Sequence, residues 1–264
     1  MDFNAIQWDK VDRWVIIAMI VVGVLIAIAA VVSVVISIVL AIKYVKYNKK
    51  ENSAGRTGEE IARKVLDDNG LQNIKVKCSG SILFGNSYSH FFKKVRLRRR
   101  TWKKKSVTSL AMAVQKSCLA ILDKEGHPDM KQRIRMTPFI YLGPVACIPV
   151  ILIGFVLDFA FFNANGVVTL IATGIGILFY ALSFFFSLKV LKTEKEAQER
   201  ALSVAREENL ATESEIEDMQ KLFKLYNIEY VNNMIISLLE LILRILQIIA
   251  TIQGGSASTS SSSN

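Results

Sequence analysis

Cysteine and histidine are both scarce in this chain of 264 residues, and long stretches carry no charge at all. Three cysteines (Cys78, Cys118 and Cys147), an odd number with no close pair, exclude a disulfide scaffold. Only two histidines occur, His90 and His127, and no spacing supports Ser-His-Asp catalysis. There is no Gly-rich phosphate loop: Gly143-Pro144 and Gly174-Ile175-Gly176 sit in apolar stretches, where small residues serve helix packing. Low hydrophobicity is missing too. With 52% hydrophobic residues, most of the chain cannot be intrinsically disordered.

What is present is apolar sequence in blocks. Trp14 to Ile42 contains no charge in 29 residues, about 43 Å of helix against ~30 Å of hydrocarbon. It is too long for a signal-peptide core, and the residues before it are net acidic, so an uncleaved anchor is expected. Residues 138–162 form a second apolar segment with Pro144 and Pro149 inside, and Val167 to Leu188 form a third without charge. Only Asn163-Ala164-Asn165-Gly166 separates these two, which predicts a transmembrane hairpin. Residues 231–252 read as a fourth span or an interfacial helix, with Glu240 and Arg244 four apart on one face. The expected fold is a mainly α membrane protein with three or four transmembrane helices.

Charge suggests orientation. Residues 43–137 hold 23 of the 33 Lys and Arg against 8 acids, while residues 1–13 are net −1 and residues 189–230 net −3. Basic residues near span ends stay cytoplasmic. The N-terminus is therefore expected outside the plasma membrane, with residues 43–137 and 189–230 in the cytoplasm. Residues 253–264, rich in Ser, are expected to be a disordered tail.

Within residues 43–137, Thr57 and Glu60 form a capping box for a helix ended by Asn69-Gly70. Ile74, Val76 and Cys78 alternate with lysines as a short strand, Ser79 to Ser89 reads as a loop, and Phe91 to Leu97 as a second strand. Val107 to Asp123 predicts a helix apolar on most of its surface, and Gly126-His127-Pro128 ends it. Lys189 to Arg206 continues the third span as a solvated helix. Thr212 to Glu215 starts another, packing through Ile216, Met219, Leu222, Phe223 and Tyr226.

This order of pieces, with TGEEIARKVLDDNGL at Thr57 to Leu71, the KKVRL strand, Ser106, Ser109 and Ala111 at a helix entry, and Arg200-Ala201-Leu202, resembles the neutral zinc metallopeptidases of bacterial membranes, the YugP-like family. The resemblance implies a small zincin-like α+β cytoplasmic portion. It also implies a zinc site on an A-H-E-x-G-H-A helix: two histidines as ligands, a glutamate base, and a third ligand from a downstream Glu. Here the corresponding helix reads Val114-Gln115-Lys116-Ser117-Cys118-Leu119-Ala120. Gln115 and Leu119 stand at the histidine positions, Lys116 at the base, and Glu194 at the third ligand. No catalytic residue and no metal ligand is therefore assigned, and no cofactor is expected although the family implies zinc. The expected function is a catalytically inactive relative that binds or scaffolds in the membrane. A membrane zinc endopeptidase with a non-standard site, assembled from Cys118, His90, His127 and Glu194, is the alternative.

A further alternative rests on charge. From Lys93 to Lys105, nine of thirteen residues are basic: Lys93, Lys94, Arg96, Arg98, Arg99, Arg100, Lys103, Lys104 and Lys105, with Trp102 among them. This run reads as a solvated face, or as a surface for anionic lipids or an acidic partner protein. No recognition fold supports nucleic acid as the partner.

Overall fold

The computed structural model describes residues 7–80, 85–140, 142–158, 160 and 167–255. The expected hairpin turn at Asn163 to Gly166 and most of the expected tail lie outside the described residues. The chain divides into two compact units.

The first unit draws on Met1–Val34, Pro138–Ser187 and Val231–Asn264. Helix α1 (Arg13–Lys49) begins here, α6 (Leu142–Leu157) lies within it, and α7 (Val167–Glu207) and α8 (Glu213–Gly255) each contribute one part. Among the described residues three helices are long and apolar enough to cross a membrane: α1, α7 and α8. Their apolar side chains largely point outward, Ile20, Val31, Ile171 and Leu178 being more than half exposed. A water-soluble unit buries such residues, whereas hydrocarbon surrounds them at no cost. Val11, Val15 and Val22 pack on Leu246 and Ala250. Asp12 and Gln253 close that contact with two hydrogen bonds of 3.0 and 2.7 Å. Gly154 of α6 sits against α7 so closely that a Cβ there would lie 2.4 Å from that of Ala172. Asp158 caps α7, accepting from the Val168 and Thr169 amides and the Thr169 hydroxyl. Glu240, expected to face Arg244, accepts the Tyr180 hydroxyl at 2.6 Å.

The second unit comprises Val35–Thr137 and Leu188–Tyr230. Its centre is α4 (Val107–Lys124), buried on every side from Val107 to Leu122. A helix with so little polar surface needs neighbours all round. It is capped by Ser106, whose hydroxyl accepts from the Ser109 amide. Helix α2 (Gly58–Asp68) packs on it through Ile61, Ala62, Val65 and Leu66, in one core with Leu110, Val114 and Leu119. The Thr57–Glu60 capping box forms as the sequence implies, and Gly70 takes φ +66° at the C-terminal side of the helix.

Beside these helices lies a three-stranded sheet of order β1-β3-β2, made of β1 (Lys75–Ser79), β2 (Ser87–Ser89) and β3 (Lys94–Arg98). β3 pairs parallel with β1 (Val76 opposite Val95) and antiparallel with β2 (Tyr88 opposite Val95). Two expectations change here. The Ser79 to Ser89 segment contains β2, which its Ser-rich composition hid. Phe91 and Phe92 belong to the β2–β3 turn instead of the strand, because only Val95 and Leu97 reach the core. Cys78 is exposed on edge strand β1. α3 (Arg99–Lys103) follows β3 directly.

α5 (Pro128–Ile140) follows α4 after a turn at Gly126, φ +69°. α7 runs without interruption from its apolar half into the charged segment, and α8 is likewise one helix from Glu213 to Gly255. At its start Glu215 accepts from the Thr212 amide and from the Ser53 amide and hydroxyl, tying the helix to the chain after α1. Ile216, Met219, Leu222 and Phe223 are buried in the core.

Candidate functional site

α4, α5 and α7 converge on one carboxylate. Gln115 and Lys116 are adjacent on α4, Arg133 lies one turn beyond Asp129 on α5, and Glu194 lies on the charged half of α7. Both oxygens of Glu194 are taken. Oε2 accepts from Gln115 Nε2 and Lys116 Nζ, each at 2.9 Å, and Oε1 from Arg133 Nη2 at 2.6 Å. The Lys116 side chain is only 11% exposed, and those of Glu194 and Arg133 only 17%. Burial alone would raise the Glu194 pKa, but the ammonium of Lys116 and the guanidinium of Arg133 outweigh it and hold the carboxyl at about 2. Leu119, one turn after Gln115, is fully buried in the apolar core.

None of the other candidates for a rescued site is among the groups that hydrogen-bond Glu194. Cys118 is buried among apolar residues, and that burial pushes its thiol upward, away from a reactive thiolate. His90 Nδ1 lies 2.6 Å from Asp123 Oδ2, which also accepts the Tyr88 hydroxyl at 2.5 Å, at the edge of a cavity of about 220 Å³. His127 faces Glu196 at 3.3 Å.

A family model described as "putative neutral zinc metallopeptidase" matches residues 22–250. The chain belongs to that family. Among curated proteins, "Putative membrane protease YugP" of Bacillus subtilis (strain 168) is 28% identical over 200 residues, covering 75% of this chain and 84% of that protein. No solved structure matches the chain. Its three apolar helices and this relative make the chain a membrane protein.

The residues around Glu194 do not suit the family's zinc ion. Lys116 and Arg133 already place two positive charges against one carboxylate, so a divalent cation would enter a site of net charge +1. Leu119 has no donor atom, and the Gln115 amide nitrogen is turned toward Glu194. A protonated amine at Lys116 cannot accept a proton from water. Sequence reading brought Gln115, Lys116 and Glu194 together through the family pattern. The sequence does not link Arg133 to Glu194, since no local motif joins residue 133 to residue 194.

The basic run is spread over two kinds of environment. Lys93, at φ +42°, Arg98, Arg99, Arg100, Lys103, Lys104 and Lys105 are exposed. Lys94 and Arg96 are half-buried and lie over the Phe92 ring, at 4.4 and 6.0 Å from its centroid. Trp102 is half-buried and packs against the core, because α3 turns it toward the helices. Phe91 and Phe92 supply what sequence reading had given to Trp102: they are 70% and 66% exposed at the tip of the β2–β3 turn.

Proposed function

We propose that this chain is a catalytically inactive member of the zinc metallopeptidase family that acts as a binding or scaffold protein in its membrane. The observation that carries the reading is the closed shell of Gln115, Lys116 and Arg133 around Glu194. Protein cations neutralise the carboxylate that the family pattern assigns to zinc, so the fold keeps the electrostatic balance of the site without its ion. The core around α4 then persists as a structural framework. Residues 43–137 and 189–230 face the cytoplasm in this reading, and the N-terminus lies outside.

The test is peptide hydrolysis by the purified full-length protein in detergent with zinc supplied. No turnover above buffer is expected. Zinc-dependent cleavage that Glu194→Gln abolishes would instead make it an endopeptidase with a non-standard site.

A second reading is supported by the β2–β3 turn. Two exposed phenylalanines beside exposed Lys93, with Arg98, Arg99 and Arg100 exposed at the other end of β3, fit an anionic lipid surface, where each basic residue contributes about 1 kcal/mol. Reversing Arg98, Arg99 and Arg100 to Glu should release the soluble face from vesicles containing anionic lipid, while unchanged binding would discard this reading.

A further inference from the structure

A second cluster of metal-ligating groups lies apart from the Glu194 shell. His127 is the residue before α5, its carbonyl accepting from the Lys131 amide at 3.0 Å. Asp129 stands in the first turn of α5, and Glu196 is on α7, two residues after Glu194. One ligand atom from each lies within 4.8 Å of the other two. The elements that carry them are already fixed to each other. Lys192 Nζ lies 2.7 Å from Asp129 Oδ2, the Thr193 hydroxyl donates to the Asp129 carbonyl at 3.4 Å, and Arg133 holds Glu194.

A separate observation points to a missing partner. His127 Nδ1 and Glu196 Oε2 are shut off from water, yet neither makes a hydrogen bond. Most buried polar atoms are paired in native proteins, and an unseen water or ion is one explanation of an exception. The two atoms lie 3.3 Å apart. Two ligands each about 2.1 Å from a tetrahedral ion are separated by about 3.4 Å, so the spacing is that of neighbours in one coordination sphere.

We infer that His127, Asp129 and Glu196 bind a divalent transition-metal ion, Zn²⁺ before others, which clamps the α4–α5 turn to α7. One imidazole and two carboxylates suit zinc, manganese or cobalt. A site for calcium or magnesium would offer oxygens alone, and one for copper(I) would offer sulfur. The two carboxylates neutralise the ion, and Lys192 on Asp129 orients that carboxylate from outside the ligand set. The side chains of His127 and Glu196 are 31% and 30% exposed, although the two facing atoms themselves are covered. The sequence offers His127 only for a site with Cys118, His90 and Glu194 and does not single out Asp129 or Glu196, because the three are brought together only by the packing of α5 on α7.

The test uses the full-length protein in detergent, its affinity tag removed, stripped with chelator and then titrated with Zn²⁺ by calorimetry and with Co²⁺ by visible absorption. One equivalent should bind, with the d–d bands of cobalt held by nitrogen and oxygen. His127→Ala, Asp129→Asn and Glu196→Gln should each weaken binding by about tenfold or more, with far-UV circular dichroism unchanged. Glu194→Gln should leave the cobalt spectrum as it is. Failure to bind either ion would overturn the inference, identifying His127 and Glu196 as a plain ion pair. Binding that survives His127→Ala but disappears in Glu194→Gln would also overturn it, moving the ion to the family position. Peptide hydrolysis plays no part in these readouts, so the inference and the proposed inactivity stand or fall separately.

Discussion

Glu194 shows how strongly the surroundings of a single carboxylate set its charge state. In the family pattern a carboxylate at this place holds a metal cation. Here it is held by Lys116 and Arg133, both largely buried. Removing one partner of a buried ionic group leaves the others uncompensated, which costs about 3–5 kcal/mol. Glu194→Gln should therefore lower the free energy of unfolding by that order in urea titrations. The pH dependence follows from the same contact. The folded pKa, about 2, lies below the ordinary 4.5, so the stabilisation is fully present above about pH 4.5. It falls away as the pH drops toward 2. Wild-type protein should lose stability across that window and Glu194→Gln should lose markedly less. Identical acid slopes for the two proteins would show that Lys116 and Arg133 do not set the charge state of Glu194. The identity of Glu194 was legible in the sequence through its place in the family frame. Its partner Arg133 was not, since a contact across 61 residues depends on how α5 and α7 pack.

At the scale of elements, local signals were read well and packing geometry was not. Thr57 and Glu60 announce the start of α2, and Ser106 the start of α4, because capping uses side chains within three residues. β2 carried no such signal: Ser87 to Ser89 becomes a strand only because β3 offers it an edge. Gly58 is another feature that composition conceals. A Cβ at that position would lie 2.2 Å from the Thr101 carbonyl oxygen, a backbone atom that cannot swing away. α2 approaches α3 at a distance that only glycine permits. Gly58→Ala should then cost about 1–3 kcal/mol through overpacking. Thr57→Ala, one residue earlier, removes only a cap and should cost about 1 kcal/mol. Thermal melting of the two variants side by side checks the order. A Gly58→Ala protein at least as stable as Thr57→Ala would mean that α2 and α3 separate freely.

At the scale of the whole molecule, apolar length and charge distribution carry the argument. The spans were legible because hydrocarbon demands runs of apolar residues whatever their neighbours. The second apolar segment, read as one span over residues 138–162, contains α6 (Leu142–Leu157) among the described residues. Orientation rests on the net +15 of residues 43–137, and the chain supplies its own probe. Cys78 is exposed on β1 in that basic segment, whereas Cys118 is buried in the core. With Cys147 replaced by Ser, a membrane-impermeant maleimide should reach Cys78 only after cells are permeabilised. A cysteine introduced by Asn4→Cys should react from outside intact cells. The two positions flank α1, so one crossing by this 37-residue helix requires that they answer oppositely. Labelling of Cys78 in intact cells would invert the topology, and with it would place Phe91, Phe92, Arg99 and Arg100 beyond reach of the anionic inner leaflet.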